Sequence, residues 1–384
     1  MLIQCTRKLL DQLKIKPSEV PRKTQPLFSW HANILTINRR KTVVLVNDSN
    51  RYVVVLYGLL AKDFQKLDQL IFEAIITTFR EEGIREDIIS QFINESPTIT
   101  YSKTKDRTSV ARMNKSIDPV QLFAEDMDHK VKIQAPLSFR VSRFLVGDGT
   151  GDYIYPNSEL YRDLEEFAGK SVIQTKAVQI KVTLNLEDFQ VWRRLVIPLH
   201  MTFRQLHQAL QYTFSWKNYH LHEFYIYDNK IKGMKDDEWN INHPAYNREG
   251  KKPILNVVSD EEAFSYGDDD IPMKLDAEIK LSEYLPEHQT IKYIYDFGDD
   301  WRHDIEVETF IDDYDKNYPV CVEGEGDTPP EDVGGERGYK EFLKIIGDES
   351  HPNHGHMIAW SDQQRFRNFD IETVNSDLKN LLFS

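Results

Sequence analysis

Between residues 178 and 186 the chain alternates without a fault. Val178, Ile180, Val182, Leu184 and Leu186 are apolar, and Gln179, Lys181, Thr183 and Asn185 between them are polar. Successive side chains of a strand point to opposite faces, so strict period two specifies a strand with one buried face and one wet face. Such a strand needs a sheet to join and a layer to cover its apolar side. The neighbouring segments supply both. VWRRLVIP (191–198) reads as a second strand. Thr202 is placed to cap FRQLHQALQYTFSW, whose apolar residues 203, 206, 209, 210 and 214 follow helical spacing. HLHEFYIYD (220–228) reads as another strand, and QTIKYIYDF with DWRHDIEVETF, either side of Gly298, as a hairpin. Helices are expected over 338–348 and 369–382, and residues 229–272, polar and rich in Gly, Pro and Asp, as a long irregular insertion.

The first half has the same mixture. TVVLVND (42–48) and RYVVVLYGL (51–59) are β-branched runs around Asp48-Ser49-Asn50, a hairpin signal. A strand and an amphipathic helix are expected at the start of the chain. One helix is expected over 63–82 with Asp63 as N-cap, and others over 84–94, over 118–129 with Pro119 in the first turn, and over 161–169. GDGTGDYIYPN (147–157) reads as a turn-rich loop. Strands and helices mix without regular βαβ alternation, which predicts an α+β fold. Two domains are expected, 1–170 and 175–384, each a mostly antiparallel sheet packed with helices.

Charge is unevenly placed. The chain of 384 residues carries a formal net charge of −14. Residues 1–60 hold 10 Lys/Arg against 3 Asp/Glu, whereas residues 260–340 hold 25 Asp/Glu against 7 Lys/Arg. The acidic half would repel a phosphate backbone, so it suits a divalent cation or a protein partner with a basic surface. Nucleic acid could be met only by the basic segment 1–60, where a solvated face is the favoured reading. Cys5 and Cys321 are too few for a Cys-based zinc site and fit a reducing compartment. No apolar run has membrane-spanning length, and a cytoplasmic protein is expected.

Asp296-Phe297-Gly298 is the tripeptide that holds magnesium in protein kinases, but no Gly-rich loop, strand lysine or His-Arg-Asp motif precedes it. The hairpin reading explains Gly298 and the aromatics. His303 falls in phase with Trp301 and Ile305, as a core histidine or a ligand. His220 and His222 at i and i+2 of a strand share a face, a recurrent way of giving a metal two ligands. The candidate metal set is therefore His220, His222, His303 and Asp299, around a divalent ion, with hydrogen-bonded polar residues as the alternative. Pro329-Pro330-Glu331-Asp332-Val333-Gly334-Gly335 is a shaped loop, because proline fixes φ and glycine permits positive φ. Its Glu331 and Asp332, with Asp299, are the candidate acid/base groups, or else caps of the following helix. His351, His354 and His356 read as a surface turn.

VWRRLVIP, FRQLHQALQYTFSW, HLHEFYI, YIYDFGDDWRHDIEVE, YPVCVEGEGDTPPEDVGGERGYKEFL, HPNHGHMIAW and FDIETVNSDL, in that order, resemble the plasmid pRiA-type ORF-three-like family. Its members are also described as TnpR-type insertion-element passenger proteins. The resemblance covers about 175–384. It implies a compact α+β domain of mobile or plasmid-borne bacterial and archaeal genes, and brings no established activity. Thr328 and His356 stand where members usually carry a cysteine and an acid, which speaks against a Cys-pair role for Cys321. Residues 1–170 loosely resemble an uncharacterised bacterial domain. Three functions follow as expectations: a binding or regulatory module with an acidic groove, a metal-dependent hydrolase (a nuclease among the options) using the His/Asp cluster, and nucleic-acid binding through residues 1–60.

Overall fold

A computed structural model describes residues 1–19, 24–104, 107–147, 151–228, 253–265, 271–379 and 381. The chain divides into two compact units, Met1–Gln174 and Thr175–Phe383.

In the N-terminal unit the strands are β1 (Leu2–Cys5), β2 (Ser29–Ile37), β3 (Arg40–Asn47), β4 (Val53–Leu56) and β5 (Thr100–Lys103), in the order β4-β3-β2-β1-β5. The pairs β2–β3 and β3–β4 are antiparallel, while β1 runs parallel to both β2 and β5. The β2–β3 turn is the two-residue type that matches strand twist, with positive φ at both Asn38 and Arg39. The helices are α1 (Arg7–Leu13), α2 (Ala61–Phe64), α3 (Leu67–Glu81), α4 (Glu86–Glu95), α5 (Arg107–Leu122), α6 (Ala135–Val141) and α7 (Pro156–Ala168). Alternate residues of β3 and β4 face two separate cores. Val43, Leu45, Val54 and Leu56 pack with Ile71, Ile75 and Phe79 of α3. Val44, Val46, Val53 and Val55 pack with Met113 and Ile117 of α5 and Leu137 of α6. These strands therefore read as continuous apolar runs, because both faces are covered.

Three local expectations are corrected here. The helix over 63–82 is broken: a short α2 precedes it, with the Asp63 carboxylate accepting the N-cap Leu60 N–H at 2.8 Å, and α3 begins only at Leu67. Pro119 does not open a helix but lies inside α5, near its end. Burial of Met113, Ile117 and Val120 on one face holds that helix despite the missing N–H. The loop at 147–157 contains a short paired ladder, β6 (Val146–Gly147) with β7 (Tyr153–Ile154).

The C-terminal unit contains β8 (Thr175–Leu184), β9 (Val191–Pro198), β10 (His222–Tyr227), β11 (Leu255–Val258), β12 (Met273–Leu275), β13 (Thr290–Tyr295), β14 (Trp301–Tyr314) and β15 (Val320–Glu325). They form one sheet in the order β12-β11-β10-β13-β14-β8-β9-β15, antiparallel except at β11–β12. Its helices are α8 (Phe203–Thr213), α9 (Gly335–Ile346), α10 (His354–Gln363) and α11 (Ile371–Lys379). Of the period-two residues, Val178, Ile180, Val182 and Leu184 lie in β8 and are buried, while Leu186 lies beyond the strand and is half-buried. Thr202 and Gln205 close a capping box at the start of α8. Cross-strand register puts His222 and Phe224 of β10 beside Tyr295 and Tyr293 of β13, and those beside Trp301 and His303 of β14. Phe203 of α8 packs edge-on against Phe224, which places the helix over this face.

The irregular reading of 229–272 falls largely outside the described residues, but Leu255–Val258 within it is a buried strand of the sheet. Its four residues are too few to show a period among polar neighbours. The His351–His356 run is not a simple turn either, since α10 begins at His354, whose Nδ1 lies 3.1 Å from Ile345 O.

Candidate functional site

The β13–β14 hairpin pairs as far as Tyr295 and Trp301. Its tip is closed by Asp296 and Asp300, both at φ +56°, with Asp300 N–H donating to Asp296 O at 2.6 Å. Asp296 Oδ1 turns back to accept from Gly298 N–H (2.9 Å) and Asp299 N–H (3.3 Å). That leaves Oδ2 facing His220 Nε2 at 3.5 Å. The Pro329–Gly335 loop brings two more carboxylates to the same imidazole. Asp332 Oδ1 lies 2.9 Å and Glu331 Oε1 3.7 Å from His220 Nε2. Asp332 also has positive φ, at +57°. Non-glycine residues held there cost about 1–3 kcal/mol each and cluster at functional sites.

This loop is pinned on three sides. Trp216 Nε1–H donates to Pro329 O (3.0 Å), Lys217 N–H to Glu331 Oε2 (2.8 Å), and Tyr295 Oη–H to Glu331 Oε1. Asp299 Oδ2 accepts Gly334 N–H at 3.0 Å, tying the hairpin tip to the N-terminal end of α9. Burial, and then the bond to Glu331, push the Tyr295 phenol well above its ordinary value, so it remains a donor. Glu331 is buried and Asp332 exposed, so the group opens to solvent on one side only.

One donor atom each from His220, Asp296 and Asp332 falls within 4.8 Å of the other two. Metal–ligand bonds of about 2.0–2.2 Å set neighbouring donors roughly 3–4.5 Å apart, near this spacing, which makes the three a candidate ligand group for one divalent ion. Glu331 is a fourth carboxylate beside them.

The sequence-derived candidates separate accordingly. His220, Glu331 and Asp332 meet. Asp299 lies alongside but spends a carboxylate oxygen on Gly334 N–H. His222 does not join, because Nε2 sits 2.9 Å from Asp276 Oδ2, and Asp276 also accepts from Arg204 Nε at 2.9 Å. His303 is enclosed by Phe214, Trp216 and Tyr293, with Nδ1 3.3 Å from Tyr293 O. Burial pushes its pKa down to about 3, which makes it a neutral core residue. The hydrolase reading needs His220, His222 and either His303 or an acid at one point, whereas His222 is held by Asp276 and His303 by the aromatic core, away from the group around His220. Period two also stops short, because β10 starts at His222 and His220 precedes it. Asp296 does not stand out in the sequence, because its tripeptide reads as a turn. The usable signal was its place two residues before Gly298, where an aspartate folds back on the backbone and leaves one oxygen over.

A cavity of about 740 Å³ lies beside the same two segments. Leu221 and Phe297 line it, each next in sequence to a candidate ligand. Tyr225, Ile294 and Met273 contribute apolar wall, and Glu223, Asp260, Glu262 and Asp300 contribute carboxylates. Arg302, also in the lining, is held by Asp300 at 2.7 Å. Among the described residues, no helix is long and apolar enough to cross a membrane.

Comparison with known proteins finds relatives of both units. Residues 2–159 match a domain of unknown function (DUF6933). An uncharacterised protein of Sinorhizobium fredii, y4hQ, is 33% identical over 183 residues, covering 48% of this chain and 79% of that one. The crystal structure of a protein of unknown function from Methanosarcina mazei Go1, MM3350, is similar at 27% identity and a TM-score of 0.39, covering 51% of this chain and 96% of that one. The plasmid pRiA4b ORF-3-like family matches residues 176–378, more than half of the chain. With its hairpin, its α8 helix and its proline-rich loop all inside that match, the chain belongs to the plasmid pRiA4b ORF-3-like protein family.

Proposed function

We propose that the C-terminal unit is a binding module organised by one divalent metal ion. His220, Asp296 and Asp332 are its ligands, and Glu331 adds negative charge behind them. The observation that carries this reading is the convergence of the three donor atoms within 4.8 Å, supplied by segments 76 and 36 residues apart. One imidazole with carboxylates is a donor set of intermediate hardness and suits Mn²⁺ or Zn²⁺. Bonds from Tyr295 and Lys217 to Glu331 are the outer-shell support that a preorganised site requires. The metal would join the hairpin to the Pro329–Gly335 loop and so fix the rim of the adjoining cavity.

The test is metal analysis of the full chain after loading with Mn²⁺ or Zn²⁺ and removal of the excess. The expected result is one ion per chain, lost in His220→Ala and in Asp296→Asn and retained in His222→Gln. Equal metal content in all four proteins would sink the assignment.

A second reading concerns what the module binds. Among the described residues, four carboxylates line the cavity and its one arginine is already paired, so it favours a cationic group, from a small ligand or from a basic protein surface. Asp260→Asn with Glu262→Gln should then weaken binding of a lysine-rich peptide, and the loss should shrink as salt is raised.

A further inference from the structure

The cavity of the C-terminal unit is floored by the sheet face opposite α8. Glu223 and Tyr225 share that face of β10, since Phe224 between them packs against Phe203 of α8. Register sets Asn256 of β11 opposite Tyr225, Ile294 of β13 opposite Glu223, and Arg302 of β14 opposite Ile294. All five residues line the cavity. Asn256 is 6% exposed, and its amide is used on one edge. Nδ2–H donates to Glu223 Oε2 at 3.2 Å. Toward a carboxylate the amide must present its nitrogen, so this bond assigns Oδ1 as the remaining acceptor. That oxygen has no hydrogen-bond partner among the described residues. A buried acceptor left unpaired bears its full desolvation penalty, which a ligand bringing a donor removes.

The rest of the lining selects the kind of donor. Burial, and then the Glu223 carboxylate beside it, push the Tyr225 phenol well above its ordinary value, so Tyr225 keeps its proton and shares it with Glu223. Asp260 Oδ1 accepts from the N–H groups of Glu262 (2.9 Å) and Ala263 (3.3 Å), which holds that carboxylate at the wall. Asp300 is paired with Arg302. The surplus charge is negative, so the donor that fits is a cationic N–H. Val258, Met273 and Ile294 supply apolar surface for an aliphatic stem. The volume of about 740 Å³ falls in the range of small-molecule sites, roughly 300–1,000 Å³, and leaves room for a stem behind an ammonium group. A quaternary ammonium ion would bring the charge without an N–H and leave Asn256 Oδ1 unpaired.

We infer that this cavity takes a protonated primary amine on an aliphatic stem, with Asn256 Oδ1 accepting an ammonium N–H and thereby selecting against quaternary ammonium ions. The inference rests on the cationic reading of the cavity given above and names the ligand class for it. It does not depend on the metal ion.

The experiment is calorimetric titration of the full chain with n-hexylamine, hexyltrimethylammonium and hexan-1-ol at neutral pH, with a chelator present so that the amine has no metal to ligate. The expected result is saturable binding of hexylamine, with hexyltrimethylammonium about tenfold or more weaker, the size of one charge-assisted hydrogen bond. Hexan-1-ol should be weaker as well, because it lacks the charge. Asn256→Leu is expected to erase the preference for hexylamine over its quaternary counterpart. The preference is a ratio within one protein, and the wild-type ratio tests the inference even where that variant does not fold. Equal affinity of the wild type for the two cations would overturn the hydrogen-bonded amine and leave the cationic cavity standing. Binding of neither cation, or of hexan-1-ol as tightly as hexylamine, would overturn the cationic reading itself. An undiminished preference in Asn256→Leu would remove Asn256 as the selecting residue. Nα-acetyl-lysine amide distinguishes the source of the amine: affinity equal to that of hexylamine assigns a lysine side chain of a partner, and weaker binding assigns a free amine.

Discussion

The imidazoles of His207 and His222 lie face to face, with ring centroids 3.4 Å apart and planes 6° from parallel. Each ring is held at its edge. His207 Nδ1 is 2.8 Å from Tyr293 Oη and its Nε2 2.7 Å from Asn218 Oδ1, while His222 Nε2 reaches Asp276. Burial, and then the neighbouring ring, push the His207 pKa down to about 3, and burial lowers that of His222 as well. Burial alone would raise the Asp276 carboxyl, but hydrogen bonds from His222 and Arg204 outweigh it and hold that group below its ordinary value. The stack therefore exists with neutral rings.

A pH dependence follows from the two histidines at about 3, His207 and His303. Their folded values lie below the unfolded value near 6.5, so the unfolded chain binds more protons below that pH. Their contribution is fully present above pH 6.5 and is lost as the pH falls toward 3. Between pH 7 and 5 each is expected to remove about 2 kcal/mol of stability. Urea midpoints of the C-terminal transition across that range check this. His303→Gln should flatten the slope, and a midpoint independent of pH between 7 and 5 would contradict the neutral assignment.

Arg193 is buried in the C-terminal unit, where it donates to the backbone oxygens of Trp192 (2.9 Å), Glu325 (2.7 Å) and Gly326 (2.9 Å) and lies 3.8 Å over the Phe369 ring. Burial lowers its pKa to about 10, which still leaves it charged at neutral pH. Arg193→Met would keep the packing and strip three carbonyls of their donor. The expected loss is about 3–5 kcal/mol, measured by chemical denaturation. Arg193→Lys should fare little better, because one ammonium cannot reproduce the fork.

In the N-terminal unit the Glu82 carboxylate, 0% exposed, takes a two-pronged bond from Arg143 (2.9 and 2.8 Å) and further bonds from Tyr52 and Tyr161. Arg143→Met strands that charge and should cost about 3–5 kcal/mol. Glu82→Gln in the same chain should restore part of the loss, since neutralising the second partner removes the uncompensated charge. A double variant as unstable as Arg143→Met alone would show that packing, not charge, governs the site.

Gly338, in the first turn of α9, has no room for a side chain beside the proline-rich loop. A Cβ there would sit 1.8 Å from Val333 O. Gly338→Ala must displace the loop that carries Glu331 and Asp332 while leaving every candidate ligand chemically intact. Metal affinity is expected to fall about 10-fold or more, the usual range for disturbing outer-shell support. Titration with Mn²⁺ checks it, and wild-type affinity in the variant would mean that the loop does not position Asp332.

The strand β8, the Thr202 cap of α8, the β13–β14 hairpin and the mixed α+β character were all legible in the sequence. Each rests on interactions within a few residues: side-chain alternation, a hydroxyl reaching N3, a turn around Gly298. The parallel pairing of β1 with β2 and β5 was not legible, since hydropathy in a short strand does not encode direction. Nor was the choice among histidines. His220, His222 and His303 look alike as residues, yet one meets three carboxylates, one stacks on His207 and one lies in the aromatic core. Asp296 displaced Asp299 from the candidate site for a similar reason. Local backbone bonds decided which of its oxygens remained, but the partner for that oxygen came from a strand entrance 76 residues earlier. Local periodicity and capping determined the elements, whereas the approach of the Pro329–Gly335 loop to His220, set by side-chain bonds to distant backbone, decided which of them carry a site.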